Sequence, residues 1–115
     1  SPAVCVSQLR GLLGMRSGKR SVHFARDELL TELLVFMTLE RGLDKPDTRL
    51  FQAAGHHAGV SHERSVEKIW TDSDGANGLA AYRAQAEEDK PHWTRDKAVI
   101  GEQIRLIKSL LYKVT

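Results

Sequence analysis

VHFARDELLTELLVFMTLERGL, residues 22–43, decides the fold class. Leu29, Leu30, Leu33, Leu34, Phe36, Met37 and Leu39 cover more than one narrow stripe of a helical wheel. The segment therefore predicts a long helix that is apolar on several sides, and such a helix belongs at the centre of a domain with other elements around it. Ser21 supplies an N-cap. Gly42, Asp44, Lys45 and Pro46 supply the stop, because glycine suits the left-handed C-terminal position and proline cannot continue a helix.

On the N-terminal side, Val6, Leu9, Leu12 and Leu13 recur at three- and four-residue spacing, which predicts a short amphipathic helix over Val4 to Met15 and a loop over residues 16–20. On the C-terminal side, Asp47 or Thr48 caps a helix that carries Leu50, Phe51, Ala53 and Ala54 toward Ala58. A further short helix contains Val66, Ile69 and Trp70. Asp72-Ser73-Asp74-Gly75-Ala76-Asn77-Gly78 has the composition of a loop or linker. Leu79 to Glu88 has helical character, Pro91 marks a break, and Thr94 or Arg95 opens a last helix that reaches the C-terminus.

In that last helix Ile100, Ile104, Ile107, Leu111 and Val114 step by four, three, four and three, a two-heptad seam. The seam has two uses, pairing with its copy in a homodimer or packing into the protein's own core. Trp70 and Tyr82 are expected to close the core, and Trp93, beside Pro91 and His92, to lie nearer a partner surface. No segment alternates in the manner of a strand. The expected architecture is all-α, a compact bundle of about five or six helices in a single domain over residues 1–115.

Composition narrows the functional classes. With 41% hydrophobic and 28% charged residues, the chain has what a folded core needs. Cys5 is the sole cysteine, so no disulfide can form within the chain, which fits a reducing, cytoplasmic setting. No stretch approaches a membrane span, and no signal peptide is evident. The net charge of +2 is small but unevenly placed: Arg10, Arg16, Lys19, Arg20 and Arg26 stand in residues 1–26 without an acid, while the rest of the chain has 12 bases and 15 acids. Residues 1–20 thus have the character of a basic arm plus a short helix, able to follow a phosphate backbone.

Residues 47–70 carry the functional lead. A helix, the turn Ala58-Gly59-Val60-Ser61 and a second helix follow one another, with the small Gly55 in the first helix, Gly59 in the turn, the apolar Val60 after it and Ser61 placed to cap the second helix. This pattern resembles the helix-turn-helix of bacterial and phage DNA-binding proteins, in which a small residue permits close crossing and glycine makes the turn. The match departs at Val66, one residue later after Gly59 than the usual inward position. One residue rotates a helix by about 100°.

The resemblance implies double-stranded DNA as partner, with residues 61–71 in the major groove. If Val66 and Ile69 face inward, then Ser61, Arg64, Lys68 and Thr71 lie along the other side. Arg64 becomes the base reader, since arginine can donate twice to guanine, and Lys68 a phosphate contact. Arg16, Lys19 and Arg20 would add phosphate contacts. Glu63 and Glu67 oppose a phosphate backbone, although Glu63 suits the positive N-terminal end of its helix. The alternative is a protein-interaction module, an adaptor or inhibitor subunit, that uses an apolar strip of the last helix.

Other chemistries find no pattern here. His56, His57 and His62 with Glu63 lack metal spacing, since adjacent histidines on a helix point about 100° apart. Residues 72–83 lack the sixth-position glycine and the twelfth-position glutamate of a calcium loop. Cys5 sits in an apolar stripe, and residues 16–20 lack the first glycine and the strand of a phosphate-cradling loop. The expectation is a protein without cofactor or metal that is not an enzyme.

Overall fold

The structure, a computed structural model describing residues 22–88 and 96–115, arranges five helices around the segment that decides the fold. They are α1 (Val22–Glu40), α2 (Thr48–Ala58), α3 (Glu63–Thr71), α4 (Gly75–Glu88) and α5 (Lys97–Val114). No strand occurs among the described residues. The helix expected over Val4 to Met15, the loop at 16–20, the Ser21 cap, Pro91 and Trp93 lie outside the described residues.

Leu29 to Thr38 are buried without a break, so α1 is enclosed on every side, as its apolar coverage predicts. Its two threonines within this stretch are accommodated locally: Thr31 Oγ1 donates to Asp27 O at 2.9 Å and Thr38 Oγ1 to Leu34 O at 2.6 Å. Hydroxyls bonded to the preceding turn need no partner from the core. Helix α1 ends at Glu40, and Gly42 then adopts φ 67°, which only glycine takes without strain. Arg83 of α4 fastens the loop that follows, donating to the carbonyls of Leu43 and Asp44 and to the Asp44 carboxylate.

Helix α5 makes the most extensive contact with α1. Ile100, Ile104, Ile107 and Leu111 are buried in the common core, and Val114 packs at its margin. Of the two uses of the seam, packing within the chain is the one observed. The residues expected to form a homodimer interface, Ile100, Ile104, Ile107, Leu111 and Val114, are the ones that pack into this core. Tyr82 of α4 is fully buried against Phe36, with ring centroids 5.6 Å apart. Glu32 and Gln103 are the largest polar side chains in the core among the described residues.

Two boundaries differ from expectation. Residues 75–78 belong to α4 and are not a loop: Gly78 N donates to Asp74 O at 2.9 Å, and Ser73 Oγ accepts from Gly75 N at 3.1 Å. A Cβ at Gly75 would lie within 2.7 Å of Trp70 Cε3, so this glycine serves the packing of Trp70 and not a turn. The last helix begins at Lys97, because Asp96 provides the cap by accepting from Ala98 N at 2.9 Å. No described helix is long and apolar enough to cross a membrane.

Candidate nucleic-acid interface

Helices α2 and α3 pack directly on one another. Asp47 caps α2, its carboxylate accepting from Leu50 N at 2.9 Å. At the other end Gly59 takes φ 71°, Val60 N donates to Gly55 O at 2.9 Å and Gly59 N to His56 O at 3.5 Å. That pair of bonds is a Schellman closure, in which a left-handed glycine satisfies carbonyls that the helix end leaves free. The chain then turns and enters α3.

Gly55 is the point of closest approach. A Cβ there would fall 2.6 Å from Val60 O and 2.7 Å from Val66 Cγ2, so any larger residue would force the turn and α3 away from α2. Val66 is fully buried and Ile69 packs against the core, the orientation on which the face assignment depends. Helix α3 begins at Glu63, preceded by His62, whose side chain makes no cap bond. Ser61 is therefore not the cap of α3. It stands exposed in the turn.

Arg64, Lys68 and Thr71 are all exposed on α3. They differ in what surrounds them. Arg64 has no hydrogen-bond or ion-pair partner among the described residues. Lys68 Nζ is 2.9 Å from Asp72 Oδ2, an exposed pair one turn apart that contributes about 0.3–0.5 kcal/mol at most. Glu63 is drawn back onto α2, accepting from Gln52 Nε2 at 3.0 Å. The sequence signals Gln52 only by its position eleven residues before Glu63 across the turn.

Ser61 and Lys68 also border an open cleft of about 800 Å³ between α1 and the turn, α3 and the loop that follows it. Its charged lining comprises Arg26 and Lys68 with Asp27, Glu28, Asp72 and Asp74. The cleft side of α3 is thus acidic on balance, whereas Arg64 and Thr71 face away from it. The structure brings Arg64, Lys68 and Thr71 onto one helix, with Ser61 at its entrance, and parts them between an outward face and a cleft rim. Arg16, Lys19 and Arg20 lie outside the described residues.

On the far side of α2, His56 and His57 stand edge to face with ring centroids 5.5 Å apart. Burial holds the His57 imidazole below its ordinary pKa of 6.5, and the nearby charges of Lys108 and His56 add to the effect. Among the described residues no group of three or more His, Cys, Asp or Glu side chains is placed to hold a metal ion. No protein family, curated protein or solved structure matches the chain, so the candidate interface rests on the geometry of α2, the turn and α3 alone.

Proposed function

We propose that the protein binds double-stranded DNA in the manner of a transcriptional regulator, with α2 and α3 as a helix-turn-helix and α3 in the major groove. The observation that carries this reading is the crossing at Gly55. A glycine in the first helix, a left-handed glycine in the turn and a buried valine in the second helix together bring the two helices close while leaving the other side of α3 exposed. On that side Arg64, free of other partners, is the base reader, and Lys68 exchanges Asp72 for a phosphate.

Fluorescence anisotropy of a labelled duplex of random sequence, titrated at low and moderate salt, tests the reading. Binding that weakens steeply with salt is expected. On a selected site, Arg64→Ala is expected to cost about 1–3 kcal/mol and to relax preference at one position. Lys68→Ala is expected to weaken binding to all sequences alike and to lower the salt slope by about one. Absence of binding at micromolar protein, or affinity and slope unchanged in both variants, would refute it.

A second reading, a module that binds another protein, is favoured by the outer face of α5. Tyr112 is 85% exposed and Leu106 37% exposed there, an aromatic and an aliphatic side chain left uncovered. The same titration separates the two, because a protein-binding module has no salt-sensitive affinity for duplex DNA.

A further inference from the structure

On charge alone Glu63 opposes DNA binding, since a carboxylate only accepts hydrogen bonds and phosphate oxygens also only accept. The structure gives this carboxylate a definite place. Glu63 is the first residue of α3, at the end of a major-groove helix that meets base edges. The Gln52 amide donates to its Oε2 at 3.0 Å from the neighbouring helix, which restrains the side chain and leaves Oε1 open to a further donor.

We infer that Glu63, held by Gln52, is a specificity-determining residue that selects cytosine at one position of the DNA site. The inference rests on the reading of α3 as the major-groove helix. The choice of base follows from the edges. Guanine offers two acceptors in the major groove and thymine an acceptor and a methyl group, so neither suits a carboxylate. Adenine offers a donor beside the acceptor N7, which a carboxylate meets unfavourably. Cytosine presents its N4 amino group as donor and is the partner that a second free carboxylate oxygen fits. Gln52 then acts as a positioning residue, and Arg64, one residue on, reads a guanine at a different position.

The test is selection of preferred sites from a random duplex pool by the wild-type protein and by Glu63→Gln, with circular dichroism to verify that both are folded. Glutamine keeps an acceptor oxygen for the Gln52 amide, so the link between α2 and α3 survives the change. The wild-type protein is expected to enrich cytosine at one position by about tenfold over other bases, within the range of a good base contact. Glu63→Gln is expected to lose that preference, or to shift it to adenine, while the guanine preference at the other position stays. Unchanged cytosine enrichment in Glu63→Gln, or no second G·C pair beside the one that Arg64 reads in the wild-type selection, overturns the inference and leaves DNA binding standing. No enrichment and no duplex binding by the folded wild-type protein overturns the underlying reading and the inference with it.

Discussion

Gly55→Ala tests the helix crossing on which the interface depends. The added methyl group would lie 2.6 Å from Val60 O and 2.7 Å from Val66 Cγ2. Neither neighbour can give way cheaply. Val60 is tied to α2 by the bond from its N–H to Gly55 O at 2.9 Å, and moving its carbonyl strains the Schellman closure. Val66 is fully buried, and a valine in a helix has one strongly preferred rotamer. Two effects compete: alanine is favoured over glycine within a helix by up to about 1 kcal/mol, whereas overpacking costs about 1–3 kcal/mol and a weakened hydrogen bond about 1 kcal/mol more. The steric cost wins, for a net loss of about 1–3 kcal/mol. Gly101→Ala supplies the control, since a Cβ at Gly101 in α5 meets nothing within 4 Å and should return a stabilisation of about 0.5–1 kcal/mol. Urea unfolding followed by far-ultraviolet circular dichroism measures both, with an unchanged slope showing that only stability has altered. If Gly55→Ala unfolds at the same urea concentration as the parent or above it, α2 and α3 do not cross at this glycine and the reasoning fails.

Three further outcomes are expected. Gln103 is fully buried with neither its Oε1 nor its Nε2 hydrogen-bonded among the described residues, so Gln103→Met, of similar length and without those polar atoms, should raise stability by about 1–2 kcal/mol in the same unfolding assay. Asp47→Ala removes the α2 cap and should cost about 1 kcal/mol, most of which Asp47→Ser should recover. The lowered pKa of His57 means that the unfolded chain takes up its proton first as pH falls, so this residue contributes stability that is full above pH 6.5 and declines below it. Unfolding midpoints measured on either side of pH 6.5 should show that decline, reduced in His57→Gln, and a His57→Gln profile identical to the parent's would contradict it.

Much of the fold was legible because it rests on local patterns. The many-sided apolar coverage of residues 22–43 reads directly as a central helix, and the observed burial from Leu29 to Thr38 agrees. A cap at Asp47 or Thr48 and a turn at Gly59 are legible in the same way, since a short side chain at a helix start and a glycine at its end act through their own neighbours, and the structure selects Asp47. What could not be read depends on partners distant in sequence. Gly75 looked like a turn residue, and only the Trp70 ring against it explains a glycine inside a helix. The 100–114 seam has the same periodicity whether its partner is α1 or a second copy, so the choice required the packed structure. Within the candidate interface, the outward side of α3 was legible from Val66 and Ile69, whereas the Gln52–Glu63 link and the acidic cleft beside Lys68 arise from tertiary placement.

The charge arrangement shapes what kind of DNA recognition the proposed reading allows. The exposed cations Arg64 and Lys68 of α3 are equalled in number by the exposed acids Glu67 and Asp72, so this surface is close to neutral. Neutral surfaces gain little from counterion release, the source of affinity that does not depend on sequence. Residues 1–26, which include Arg16, Lys19 and Arg20, hold five bases and no acid. Affinity and selectivity would therefore reside in different parts of the chain, the basic N-terminal segment holding the duplex and α3 discriminating among its base edges. An interface built this way tolerates a carboxylate at the head of α3, because repulsion from phosphate costs binding to every sequence while its contact with one base restores binding to a few.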